Sequence, residues 1–207
     1  MEKTAIPKIL QRDVCRAAAS VTDEHGMPWS ILLDLVVAED HGLYFAAAKG
    51  TVLHTSLQAN PHLAVSIIAD QGPTDFQAVS IRGTVKNTGS KHLDELFDKN
   101  PGLQKMYPKP KSRRTLEVFC IYRGEGEYLE LKEGILNRKR FSFGGEEVKK
   151  RGYQINETRC IGCQGCRSIC PVSCISNTFP RAIDQNRCIQ CGNCFQICLR
   201  KAVEKIG

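Results

Sequence analysis

Nine of the eleven cysteines in this 207-residue chain lie between positions 160 and 198, and no other feature restricts its possible folds so tightly. They are Cys160, Cys163, Cys166, Cys170, Cys174, Cys188, Cys191, Cys194 and Cys198. In order they spell C-x2-C-x2-C-x3-C twice, once from Cys160 to Cys170 with Pro171 next, and once from Cys188 to Cys198 with Leu199 next. Thiolates at this spacing are the ligands of bacterial-type iron-sulfur clusters. Three thiolates two residues apart wrap one face of a cubane, because each intervening pair forms a turn whose backbone N–H groups point at the cluster sulfurs. The fourth ligand comes from elsewhere, and in two-cluster ferredoxins the last cysteine of each run serves the other cluster. The pattern therefore assigns Cys160, Cys163, Cys166 and Cys198 to one 4Fe-4S cluster, and Cys188, Cys191, Cys194 and Cys170 to a second.

A 28-residue internal repeat supports two clusters independently of the cysteines. Tyr153 to Cys160 aligns with Arg181 to Cys188, with Ile155 on Ile183, Asn156 on Asp184 and Arg159 on Arg187. Each copy reads as a short strand feeding a cluster loop. Cys174 falls where the second copy has Ala202, and it reads as a small buried residue, since free cysteine behaves as a small hydrophobe. Zinc also takes C-x2-C pairs, but a tetrahedral site has no use for a third cysteine at the same spacing. Disulfides this dense would close only short strained loops, and no apolar secretory segment accompanies them.

The length accommodates one domain of about 150 residues and a small appendage. Residues 1–147 are expected to form the larger domain and 148–207 a ferredoxin unit, which buries too little apolar surface to fold without its clusters. The net charge of +7 resides in the tail, where ten Lys or Arg face three Asp or Glu; the first 147 residues carry nineteen of each. A basic tail invites a nucleic-acid reading, yet clusters with their thiolates are anionic, so these residues are expected to offset them. No nucleic-acid or membrane partner is expected. No run of eighteen apolar residues occurs and Met1–Thr4 leads into a mixed segment, so a cytoplasmic location is expected.

The first 147 residues read as mainly β, with antiparallel strands and short helices. Strands are expected over Val14–Val21, Trp29–Val37, Leu43–Ala47, His62–Ile68 and Phe76–Val85, with turns at Asp23–Gly26 and Glu39–Gly42. A helix over Thr51–Asn60 is followed by Pro61, and a second over Lys91–Phe97 is broken by Asn100-Pro101-Gly102. Tyr107–Ser112 reads as a loop, and Leu116–Tyr122 with Glu127–Leu131 as a hairpin turning at Gly124–Gly126. Gly83 is expected at a barrel corner. Six or seven such strands describe a closed or nearly closed barrel. Cys15 and Cys120 are expected to be packing residues, and the five histidines, His54 among them, to occupy turns or the surface.

Gly26-Met-Pro28, Leu43-Tyr-Phe45, Ala48-Lys-Gly-Thr51, Leu57-x-x-Asn60-Pro61-x-x-Ala64-Val65 and Ile81-Arg-Gly83-Thr-Val85 resemble the pyridoxamine 5'-phosphate oxidase-like FMN-binding split barrel over roughly residues 10–132. Tyr107-Pro, Ser112-Arg113, Val118-Phe119, Gly124–Tyr128 and Phe141–Gly145 resemble a branch of that family with an appended ferredoxin unit. The resemblance implies a homodimer binding FMN between subunits. It places Trp29, Ser30 and Ile31 beside the flavin ring, and Lys49, Gly50 and Thr51 near its phosphate. Many relatives carry a further basic residue where this chain has Leu53. The remaining phosphate charge is then expected to be met by Lys49 or by Arg82, Lys111, Arg113 or Arg114, from either subunit.

Clusters move one electron at a time, whereas a flavin takes one or two and passes on a hydride. Together they imply a redox flavoprotein that reduces a small substrate at the flavin and exchanges electrons with a redox partner. The alternatives are an electron-transfer protein with no substrate chemistry of its own and a sensor of oxygen or iron status. Passing electrons to dioxygen has no need of two clusters, so a reductase is expected rather than an oxidase. No general acid or base is assigned.

Overall fold

The computed structural model describes residues 14–37, 43–70, 72, 74–149 and 151–207. The turn expected at Glu39–Gly42 lies outside the described residues. Seven antiparallel strands run through the larger part of the chain: β1 (Cys15–Thr22), β2 (Pro28–Val37), β3 (Leu43–Ala48), β4 (His62–Asp70), β5 (Phe76–Gly89), β6 (Leu116–Lys132) and β7 (Ile135–Phe143). They pair in the order β3-β2-β1-β4-β5-β6-β7, and β3 also pairs with β6. That pairing closes six strands into a barrel and leaves β7 outside the ring, on the far half of β6.

The period-2 pattern of β1 shows how the barrel forms. Cys15, Ala17, Ala19 and Val21 are buried, while Arg16, Ala18 and Ser20 face outward. Leu35, Phe45, Val79 and Phe119 fill the interior, with the rings of Phe45 and Phe119 stacked 5.7 Å apart. Cys120 packs in a second cluster with Val36, Tyr44, Leu96 and Val118 on the opposite side of the wall. That cluster seats the helix α2 (Leu93–Lys99).

Three expectations are corrected here. Gly124–Gly126 is no hairpin turn, because β6 passes straight through it and pairs with both β5 and β7. A Cβ on Gly124 would run into the Arg82 carbonyl and sit 2.9 Å from Gly83 Cα. The glycines allow close strand approach. The hairpin turns instead at Glu133-Gly134 into β7, which the hydrophobic pattern did not disclose. The segment from Asn100 onward is helical, with α3 (Pro101–Met106) and α4 (Pro110–Arg113). Pro101 begins α3 because a first-turn proline lacks only an N–H that has no partner there, and Asn100 Oδ1 accepts from Leu103 N at 3.0 Å.

The tail has its own two-stranded sheet, β8 (Gly152–Ile155) with β9 (Val203–Ile206), and two short helices, α5 (Gly165–Ser168) and α6 (Asn193–Ile197). The 28-residue repeat is legible in its backbone. Left-handed residues recur in pairs at Gly162 and Gln190, Gln164 and Gly192, and Ser173 and Lys201. The Ile155–Val203 pair of the small sheet has its counterpart in the Ile175–Ile183 bridge. The two halves are thus related by an internal pseudo-twofold.

Among the described residues, no helix is long and apolar enough to cross a membrane.

Candidate functional site

The tail builds two cavities from its cysteines. The first is lined by Cys160, Cys163, Cys166 and Cys198, together with Arg181 and Arg200. The second is lined by Cys170, Cys174, Cys188, Cys191 and Cys194, together with Tyr153. Each cavity therefore draws its last cysteine from the opposite run. Among the described residues, no group of three or more His, Cys, Asp or Glu converges on a point as ligands of one metal ion. In a cubane each thiolate binds its own iron, so the four sulfurs surround a volume.

Several features of the cavities fit anionic sulfur clusters. The Ala202 N–H donates to Cys198 Sγ at 3.2 Å and the Cys174 N–H to Cys170 Sγ at 3.4 Å, two equivalent bonds of the repeat. The Gln190 N–H reaches Cys188 Sγ at 3.4 Å. Such donors stabilise thiolate and raise cluster potentials. Arg181 is only 6% exposed and donates to the Ser176 and Gly162 carbonyls at 2.8 and 3.2 Å, while its buried Nε has no partner. A buried guanidinium without a carboxylate calls for an anion nearby.

Cys174 is 5% exposed, as a packing residue would be, yet it reaches into the second cavity with its Sγ 3.5 Å from that of Cys170. Burial, then the hydrogen bond and charge of Cys170, push the Cys174 thiol well up. Burial also acts to raise Cys170, but backbone N–H groups from Cys174 and Val172 and the Cys174 thiol outweigh it and hold Cys170 below the ordinary thiol range. The two environments thus pull the paired sulfurs in opposite directions, Cys170 toward thiolate and Cys174 toward thiol. Burial, with the charges of Cys188 and Cys191, raises Cys194 to about 11, and Cys166 is likewise pushed up by burial. Metal binding at these two must displace a proton.

The tail meets the barrel at the second cysteine run. The backbone N–H of Arg138 on β7 donates to Asn186 O at 2.6 Å, and Arg138 Nη1 donates to Cys188 O at 3.1 Å. On the barrel side, Glu127 lies 3.3 Å from Arg138 Nε.

The residues expected around a flavin are distributed over two regions. Lys49 and Arg113 line one cavity, together with Arg114, Asp94 and Glu117. Gly50 takes a left-handed conformation beside it (φ +80°). Thr51 is the N-cap of the helix α1 (Val52–Ala59); its Oγ1 accepts from His54 N at 3.4 Å and donates to Ala48 O at 2.7 Å. Arg82 does not join them: it pairs with Glu125 in a different cleft, lined also by Arg123, Glu146 and Lys149. Lys111 is exposed on α4 and lines neither cavity. Trp29 is 53% exposed and Ser30 is exposed on β2, while Ile31 packs against the core.

Sequence reasoning missed the polar network under Lys49. His54 is buried in the face of α1 that meets the barrel, contrary to the surface role expected of it. Its Nε2 lies 2.9 Å from Glu117 Oε2, and Lys49 Nζ lies 3.3 Å from Glu117 Oε1. Hydrogen bonds from His54 and Asn87, with the charge of Lys49, hold the Glu117 carboxyl down at about 2. It stays anionic beside Lys49, Arg113 and Arg114, so the cavity carries a small cationic excess. No sequence signal links residues 49, 54, 87 and 117. Arg181 had one: it breaks the repeat, standing where the other copy has Tyr153.

Comparison with known proteins follows these two units. A family model described as a 4Fe-4S binding domain matches residues 153–176. A NimC/NimA family protein from Clostridium acetobutylicum is 20% identical with a TM-score of 0.51, over 66% of this chain and 89% of that one. PhzG from Burkholderia lata 383, solved in complex with tetrahydrophenazine-1-carboxylic acid, is 13% identical with a TM-score of 0.50, over 66% of this chain and 80% of that one. The barrel has the split-barrel fold of these proteins. The tail carries a 4Fe-4S binding region. A pyridoxamine 5'-phosphate oxidase-related, FMN-binding protein from Nostoc punctiforme PCC 73102 is 13% identical with a TM-score of 0.46, over 66% of this chain and 87% of that one. No curated protein matches the chain.

Proposed function

We propose that this chain is an iron-sulfur flavoprotein in which two 4Fe-4S clusters exchange electrons with FMN in the barrel, and that the flavin reduces a small molecule. One observation carries the reading: the second four-cysteine set is fastened to the barrel, with the Cys188 carbonyl held by Arg138 of β7. An electron carrier built for free diffusion has no need of that attachment. The flavin, when bound, supplies the conversion between one-electron and hydride chemistry. The chain's own residues do the rest. Lys49, Arg113 and Arg114 offer charge to a phosphate, the left-handed backbone at Gly50 needs no side chain there, and Glu117 fixes Lys49 in place. The eight assigned cysteines hold the clusters, and Cys174 donates to one of them without being a ligand.

The family resemblance supports a homodimer with FMN between subunits. Leu32 and Ile68 are 75% and 72% exposed on the outer wall of β2 and β4, and Ala18 on β1 between these strands is level with Leu32 and with Ser66, two residues before Ile68. Apolar side chains this exposed suit a covered face. Reduced thiols for cluster assembly suit a cytoplasmic location.

The test is anaerobic purification followed by stopped-flow kinetics. The expected protein carries FMN and about eight irons per chain, two cubanes' worth. After dithionite reduction it is reoxidised by members of a panel of small organic acceptors. Reoxidation by partner redox proteins alone would refute the reductase reading and leave an electron-transfer protein. A colourless zinc protein would refute the whole.

A further inference from the structure

We infer that the two cysteine-lined cavities are electrically unequal, and that Arg181 makes the cluster held by Cys160, Cys163, Cys166 and Cys198 the more easily reduced of the two. This rests on the two-cluster reading above. The 28-residue repeat sets Arg181 where the first copy has Tyr153. The pseudo-twofold then places each of these residues against the cysteines of the other run: Tyr153 lines the cavity of Cys188, Cys191 and Cys194, and Arg181 lines that of Cys160, Cys163 and Cys166. Equivalent positions thus carry a neutral phenol in one cavity and a guanidinium in the other.

The sulfur hydrogen bonds run the other way, the second set receiving the Gln190 and Cys174 N–H groups against the Ala202 N–H on the first. These are neutral dipoles, however, whereas Arg181 carries a full buried charge. Arg181 is buried, its side chain bonds to the Ser176 and Gly162 carbonyls, and among the described residues no carboxylate pairs with it. Among the described residues its positive charge therefore meets no carboxylate and faces the cavity of Cys160, Cys163, Cys166 and Cys198. No lysine or arginine lines the second cavity among the described residues. Among the described residues, Arg138 and Arg187 hydrogen-bond to backbone carbonyls of residues that line that cavity. Arg138 reaches the Cys188 carbonyl, but Glu127 lies 3.3 Å from its Nε and offsets its charge. Arg187 donates to Val172 O at 3.0 Å from outside the lining and is part-exposed, so its charge is screened more than that of the buried Arg181. Arg200 also lines the first cavity, but it is exposed, and its field adds little.

Reduction of a cluster adds one electron and no proton, so the reduced form carries one more negative charge. A fixed cation in a poorly polarisable surrounding favours that form, and charge and hydrogen bonding at the cluster are what set its potential. Because the barrel is fastened to the second run through Arg138, the cluster next to the barrel is the harder to reduce. An electron resident in the tail then rests on the first cluster, away from the flavin.

Potentiometric reduction of the full-length holoprotein, followed by electron paramagnetic resonance with iron counted in parallel, tests this. The wild type is expected to reduce in two separate one-electron steps. Arg181→Gln should lower the upper step and leave the lower one in place, cutting the reduced-to-oxidised ratio of the first cluster at least tenfold at fixed potential, which is about 59 mV for one electron. Arg181→Lys, which keeps the charge, should hold the upper step near its wild-type position. If Arg181→Gln fails to load its cluster, Tyr153→Arg replaces it as the test and is expected to raise the lower step. The inference is overturned if both wild-type clusters reduce together, if a fully loaded Arg181→Gln protein keeps both steps, or if a fully loaded Tyr153→Arg protein keeps its lower step. Wild-type iron near four per chain would instead overturn the two-cluster reading beneath it.

Discussion

Replacing Gly124 with alanine tests whether β6 is the unbroken strand that joins the Lys49 cavity to the tail. Glu117 lies at one end of this strand, and Glu127, the partner of Arg138, lies toward the other. At Gly124 a methyl group would overlap the Arg82 carbonyl, stand 2.9 Å from Gly83 Cα and 3.1 Å from Phe143 Cζ. Two of these neighbours are backbone of an adjacent strand and cannot turn aside. Overpacking of this kind costs about 1–3 kcal/mol, and with backbone as the obstacle the upper half of that range applies. The alanine also restricts the unfolded chain, which returns about 0.4–1 kcal/mol. The net loss expected is about 2 kcal/mol. With a urea m-value of about 1–3 kcal/mol/M, the midpoint should fall by roughly 1 M. Trp29 on β2 is the sole tryptophan and reports on the barrel rather than the tail. Gly134→Ala is the control: that glycine sits in the β6–β7 turn at φ +74° with nothing within 4 Å of an added Cβ. Only its left-handed backbone opposes substitution, at about 1 kcal/mol. A Gly124→Ala protein as stable as Gly134→Ala would refute the continuous strand.

Cys166→Ser should remove about four irons per chain while leaving the other cluster's signal, whereas Cys174→Ala should retain all the iron; iron loss in the latter, measured colorimetrically, would make Cys174 a ligand. Arg138→Ala removes a charge-assisted hydrogen bond worth about 1.5–3 kcal/mol, so proteolysis within residues 144–151 should accelerate about tenfold or more with iron unchanged. Glu117 has its folded-state value depressed from the ordinary 4.5 to about 2. The stability it contributes is present above pH 4.5 and is lost as pH falls toward 2. Trp29-detected urea unfolding should show this fall in wild type, and Glu117→Gln should flatten it. His54→Ala removes the foremost cause of the depression, so the fall should still begin near pH 4.5 but be smaller and level off at higher pH than in wild type.

The local chemistry of the tail was open to reading from residues alone. Three thiolates two residues apart impose turns within their own loop, so Cys160–Cys166, inside the matched 4Fe-4S binding region, were legible without help from the rest of the chain, and Cys188–Cys194 repeat their spacing. The strand pattern of β1 and the helix α1 with its Thr51 cap were equally local, because alternation and capping are decided within a few residues. Gly124 and Gly126 misled for the same reason: glycine marks a turn in isolation, and only Arg82, Gly83 and Phe141 on neighbouring strands make it a point of close approach.

What belongs to the tertiary structure are relations between residues distant in sequence. Strand pairing puts Lys49, His54, Asn87 and Glu117 in one network, and within one chain it sets Lys49 and Arg82 in different clefts. The tail shows the same division. The repeat announces that Arg181 and Tyr153 are counterparts, but a repeat carries no information about which cavity a residue faces. The pseudo-twofold crossing decides that, and it turns a one-residue difference between two copies into a charge difference between two cavities, because burial removes the water that would otherwise screen it.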